Sequence, residues 1–198
     1  MILLARHGET ASNAARVVQT PDTPLSPRGF LQAERLAARL ASLSVARILT
    51  SDLARALQTA VQVKAATRAE LAIDPLLQER NFGDVRGIPY SELGVDLFAP
   101  DFAPPGGESW EEFHRRVDAA WARVRAVAAA TPGNLAVVTH GLVCYSLALR
   151  HLELPGGAQA DLRVPNTALA LIESEPPFRV LVWGCTAHLE EAAIAAPA

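Results

Sequence analysis

Residues 1–10 read MILLARHGET. The opening MILLA is apolar with no helical period, the pattern of a strand buried on both faces of a parallel sheet. The run stops at Arg6 and His7, and Gly8 follows. A fixed cation and an imidazole therefore stand where a buried strand ends. In open parallel sheets, ligands bind at the carboxyl ends of the strands. Residues 1–10 thus raise two expectations, a sheet and a site on its rim, and the rest of the chain has to supply both.

Working outward, LSPRGFLQAERLAARLASL (25–43) reads as a helix with Ser26 as cap, Pro27 in its first turn, and an apolar stripe at Leu31, Leu36, Ala37 and Leu40. VARILTS (45–51) is a second strand, and Ser51 is placed to cap the helix DLARALQTAVQVKAAT (52–67). ELAID (70–74) is a third strand. From Pro75 to Gly107 the periodicity weakens, which predicts loops with one short helix near 90–97. Ser109 and Glu112 have capping-box spacing, opening a long helix to about Ala130. NLAVVTH (134–140) is a strand and GLVCYSLALRHL (141–152) a helix. TALALIE (167–173) and FRVLVWG (178–184) close the chain as two strands, read as a hairpin joined through Pro176 and Pro177, and HLEEAAIAAPA (188–198) is expected to be weakly helical or without order. Alternating strands and helices predict a mainly parallel sheet with helices on both faces, a three-layer α/β/α sandwich.

Length and composition fit one domain over residues 1–198 with a lid-like excursion at about 75–107. Half the residues are apolar, and the net charge of −3 gives no pull toward nucleic acid or an anionic membrane. No apolar run approaches the roughly 18 residues of a membrane span. Cys144 and Cys185 are too few for a disulfide framework or a zinc knuckle, and no basic region followed by a long apolar stretch opens the chain. A cytoplasmic protein is expected, a monomer or homodimer, with no metal and no cofactor.

The strand ends carry the chemistry. Arg6 and His7 follow the first strand, Ser51 and Arg55 the second, His140 and Gly141 the fourth. A phosphoryl group needs donors aimed at its equatorial oxygens and an in-line nucleophile. Arg6 and Arg55 offer paired charged donors, Asn13 a neutral one, His140 another if protonated. The helix N-terminus after Gly141 points backbone N–H groups the same way. His7 is the candidate nucleophile, its ring held by a backbone carbonyl through the other nitrogen. A leaving alkoxide needs a proton, and LLQERNFGDVRG (76–87) offers Glu79, with Glu70, Asp84 and Glu108 as rival carboxylates. Gln19, Thr20, Phe82 and Trp110 are candidates for the substrate wall, and His114, His151 and His188 read as structural.

The ordered blocks ARHGETASN, SDLARALQTA, LQERNFGDVRG, GGESWEEFHRRV and VVTHG resemble those of the histidine phosphatase superfamily, the phosphoglycerate-mutase-like proteins. The resemblance implies a phosphohistidine on His7, a phosphate pocket of Arg6, Asn13, Arg55 and His140, Glu79 as proton donor, a sheet of about six strands, and no metal. Gly141 after the second histidine resembles the mutase and small-phosphatase branch rather than the acid phosphatase and phytase branch. Ser12 and Thr20 depart from the Trp and Gly common at those places. The short chain, without room for the inserted segments of glycolytic mutases, favours hydrolysis of a small phosphomonoester. A mutase-type phosphotransferase and a non-catalytic phospholigand-binding module are the alternatives.

Overall fold

The computed structural model describes residues 1–155 and 162–190. Strands β1 (Ile2–Arg6), β2 (Val45–Thr50), β3 (Glu70–Ile73), β4 (Asn134–Thr139), β5 (Leu169–Ile172) and β6 (Val180–Cys185) form one sheet in the order β3-β2-β4-β1-β5-β6. The β3-β2-β4-β1 part is parallel, with Ile2 opposite Leu135 and Arg6 opposite Thr139. β5 and β6 are both antiparallel to their neighbours. The sheet is mainly parallel, as expected, with β5 alone reversed: β6 is antiparallel to β5 and so runs with β1. The reason is local: β5 and β6 are joined by a short connection rather than a crossover helix, and such a connection can only pair strands antiparallel.

β1 is buried along its length because both its faces are covered. Ile2 and Leu4 point to one side, into a core shared with Phe113, Val117 and Trp121 of α4 (Trp110–Ala129) and with Val143 and Leu147 of α5 (Gly141–Arg150). Leu3 and Ala5 point to the other side, against Leu36 and Leu40 of α2 (Pro27–Ala41) and Ala56 and Ala60 of α3 (Ala54–Thr67). This two-sided burial is the three-layer arrangement that the continuous apolar run predicts.

Side-chain caps mark the starts of α2 and α4. Ser26 Oγ accepts from Gly29 N with Pro27 at the first helical position, and Ser109 and Glu112 form the reciprocal capping box. Ser51 does not cap α3. That helix begins later, at Ala54 with Leu53 as its cap residue, and Ser51 is turned toward His140 instead. The segment expected to hold a short helix near 90–97 has only a 3-10 turn at Tyr90–Glu92, the last of three between Pro75 and Glu92. One helix escaped the sequence, α1 (Ala11–Ala14), a single turn capped by Thr10 and Asn13. The weak helix or lack of order expected of the tail falls mostly on residues 191–198, outside the described residues. No described helix is long and apolar enough to cross a membrane.

Candidate active site

β1 and β4 are hydrogen-bonded neighbours and β4 lies beside β2, so three strand ends converge on one rim of the sheet. His7 N donates to Thr139 O at 2.9 Å, which fixes the chain just beyond β1 against the end of β4. Gly8 N donates to Thr59 Oγ1 of α3 at 3.0 Å. A Cβ at Gly8 would lie 2.5 Å from Gly29 O, so only glycine lets this turn pack against α2.

His7 is buried, 1 % exposed, and its Nδ1 lies 2.7 Å from Gly8 O. A carbonyl can only accept, so Nδ1 carries the proton and Nε2 keeps its lone pair. The His7 and His140 rings have centroids 5.2 Å apart. Burial first, then the guanidiniums of Arg6 and Arg55, hold His7 well below the ordinary imidazole range. His140 is held down in the same direction by burial, Arg55 and His7. Of the two forms of His140 this favours the neutral ring, whose Nε2 lies 2.9 Å from Ser51 Oγ. If Ser51 donates its hydroxyl proton to Nε2, the Nδ1–H remains as a donor.

Arg6 NH1 donates to Val164 O at 2.7 Å and Arg55 NH1 to Thr20 O at 3.0 Å. Each guanidinium is thus anchored by a carbonyl and, among the described residues, has no direct ion pair. Burial lowers both, Arg55 to about 10, and the charge of Glu79 opposes the fall. Among the described residues, only four buried side-chain polar atoms have no hydrogen-bond partner, and three of them belong to this rim: Arg6 Nε, Arg55 Nε and His140 Nδ1. Unmet buried donors are costly, and here they gather around one imidazole. Asn13 Oδ1 accepts from Thr10 N and Asn166 Nδ2, which leaves its amide NH2 as the group available to the cavity that it lines.

That cavity has a volume of about 260 Å³ and is walled by Arg6, Asn13, Arg55, Glu79 and Gly141. Gln19, Thr20 and Phe82 line it too, whereas Trp110 lines a neighbouring cavity. Glu79 Oε1 accepts from Arg80 N at 3.0 Å and Oε2 from Leu142 N at 3.2 Å. Burial raises the Glu79 carboxyl above the ordinary glutamate value, against the pull of those N–H groups and of Arg55 and Arg6. The Leu142 N–H at the start of α5 therefore serves Glu79 and not an anion, which trims the helix-terminus expectation.

The rival carboxylates are occupied elsewhere. Glu108 is paired with Arg116 at 2.7 Å and accepts from Asn81 N. Burial would raise it, but those hydrogen bonds outweigh burial and leave it below the ordinary value. Glu70 pairs with Arg47 on the sheet edge, and Asp84 is exposed. His114 meets Ser146, His151 meets Asp118 and His188 lies near Thr167, so all three sit in structural contacts. Three supporting residues were not found by sequence reasoning: Thr59, Asn166 and Arg116. Asn166 Nδ2 bridges His7 O and Asn13 Oδ1 from 153 positions along the chain, and no local pattern signals such a contact.

The comparisons with known proteins agree with this geometry. The family model described as "Histidine phosphatase superfamily (branch 1)" matches residues 2–185. The "Probable phosphoglycerate mutase GpmB" of Yersinia pestis (strain Pestoides F) is 32% identical over 214 aligned positions, 98% of this chain and 96% of the relative. The mycobacterial glucosyl-3-phosphoglycerate phosphatase in complex with VO3 superposes with a TM-score of 0.77 at 27% identity, covering 92% of this chain and 97% of that one. Bacillus stearothermophilus YhfR gives a TM-score of 0.79 at 30% identity over 96% and 98%. Proteins named for mutase and for phosphatase activity thus share this length, so a short chain does not by itself favour hydrolysis. Sequence, sheet order and the rim of the sheet lead to one assignment: the chain belongs to the histidine phosphatase superfamily, branch 1.

Proposed function

We propose that the protein hydrolyses a small phosphomonoester through a phosphohistidine on His7, in a cytoplasmic setting and without metal or cofactor. The observation that carries this reading is the group of unmet buried donors, Arg6 Nε, Arg55 Nε and His140 Nδ1, around a neutral imidazole. Such donors suit the equatorial oxygens of a phosphoryl group, and Asn13 and the backbone at Gly141 complete the cradle. His7 Nε2 attacks phosphorus as the ester P–O bond breaks. Glu79, its carboxyl raised above the ordinary glutamate value by burial, gives its proton to the leaving oxygen. Water then attacks the phosphohistidine and loses a proton to Glu79. Phosphate leaves, and His7 and Glu79 return to their starting states.

One observation favours the phosphotransferase as a second reading. Arg86 also lines the cavity, and a cation there suits the second acidic group of a bifunctional substrate. The test is direct. Acid-labile, base-stable label from a phosphomonoester should appear on the wild type and not on His7→Ala. Labelling of the variant at the wild-type level would overturn the nucleophile. Turnover that requires a bisphosphorylated primer would establish the transferase over the hydrolase.

A further inference from the structure

Beside the phosphate cavity lies a larger one of about 730 Å³. The two share Arg6, Phe98, Gly141 and Leu142. Arg6 is the border post: its NH1 is tied to Val164 O at 2.7 Å, and a Cβ at Gly141 would lie 3.6 Å from its guanidinium carbon. The walls differ in kind. The smaller cavity adds four arginines and Glu79 to apolar residues such as Val18 and Phe82, whereas the larger is lined by Phe98, Trp110, Leu142, Tyr145, Val164 and Pro165, with charge among the described residues at Arg6 and Arg163.

The larger cavity is also preformed. Trp110 Nε1 donates to Ala99 O at 2.9 Å, and its ring lies 4.1 Å from the Arg80 guanidinium and stacks on His114. Arg80 is in turn fixed by the carbonyls of Leu97, Phe102 and Glu108. Phe98 and Tyr145, by contrast, keep 52% and 37% of their surface exposed. Two large rings held at the mouth of an apolar cavity have burial still to gain.

We propose that this cavity takes the leaving group of the substrate and selects an apolar one, an alkyl chain or aryl ring esterified to phosphate. The proposal rests on the phosphomonoesterase reading for its chemistry. Leu142, whose N–H holds Glu79, stands with Arg6 on the border of both cavities, so a leaving group protonated by Glu79 has a contiguous hydrocarbon and aromatic wall to extend along. A cavity of this size falls in the range of small-molecule sites, about 300–1,000 Å³. A polar sugar placed against it would lose water without gaining partners.

The test uses n-alkylphosphonates from methyl to hexyl, which cannot be hydrolysed and whose head groups ionise alike. Their affinities, measured by calorimetry on the full chain, should rise about threefold per methylene, on the order of 10²-fold across the series. Tyr145→Ser should flatten that rise, and Phe98→Ser serves as the second variant should the first fold poorly. A flat series overturns the proposal, as does a rising series that both variants leave unchanged. An equal loss at every chain length overturns it too, because the residues would then act on the phosphate pocket. Failure of the phosphatase reading shows separately, as no phosphate release from any alkyl ester by a protein that binds the phosphonates in graded fashion.

Discussion

At the scale of single residues, the site is a set of groups whose ordinary charges have been moved by burial. Burial makes the free base the resting form of His7 and raises the Glu79 carboxyl. A nucleophile must be unprotonated and a general acid protonated, so both shifts run in the useful direction. The pH profile follows from their signs. The acidic limb of kcat/KM, where His7 gains its proton, should lie below the ordinary imidazole value of 6.5. For an alkyl ester the rate should fall as pH rises through the Glu79 value, which lies above 4.5. Glu79→Gln should lose that falling limb while retaining the one set by His7. A limb that persists unchanged in the variant would assign it to another group. The same variant should lose first-step rate in proportion to the need for an acid. In single turnovers the loss should be on the order of 10²–10⁴-fold for an alkyl phosphate and clearly smaller for an aryl phosphate with an acidic phenol. Equal losses for the two would leave Glu79 as a wall residue only.

At the scale of elements, the loop carrying Glu79 has little regular structure, yet it is pinned. Arg116 of α4 donates to the carbonyls of Leu76, Gln78 and Glu79, and pairs through Nε and NH2 with both oxygens of Glu108. One side chain therefore does for this loop what a ladder does for a strand. Arg116→Met should leave those carbonyls and the half-buried Glu108 unmet, with a loss of stability on the order of 2 kcal/mol. Urea unfolding would measure it. Its catalytic trace should be selective: if Arg116 positions Glu79, the alkyl-to-aryl rate ratio falls, whereas mere loosening of the fold would lower both rates alike. Helix α2 acts on the opposite side, where Ser26 Oγ donates to Glu9 and Gly29 packs against the backbone of Glu9. The turn after β1 is thereby held between α2 and Thr59.

At the scale of the whole molecule, parallel strands feeding one rim bring cations together from distant segments, while the antiparallel pair β5 and β6 closes the other side of β1. The segment just before β5 supplies Val164, Asn166 and Thr167, which tie Arg6 and the His7 carbonyl in place. In the proposed hydrolysis, charge stabilisation by Arg6 and Arg55 takes the part that a divalent ion plays in metal-dependent phosphoryl transfer. Activity should therefore survive exhaustive chelation. Loss in chelator with recovery on adding a single metal would refute this.

The sequence by itself determined the sheet, the helices and the strand-end residues, because buried strands, capped helices and turn glycines are written in local periods and in Arg6, His7, Arg55 and His140 at the run-out of strands. It also separated Glu79 from its rivals only by context. Tertiary structure decided the rest. That Ser51 serves His140 rather than a helix, that His140 is favoured as the neutral ring, and that Arg116 and not a local turn holds the Glu79 loop all depend on what lies across the fold. Burial and partnership are properties of neighbours distant along the chain, and a local pattern carries no record of them.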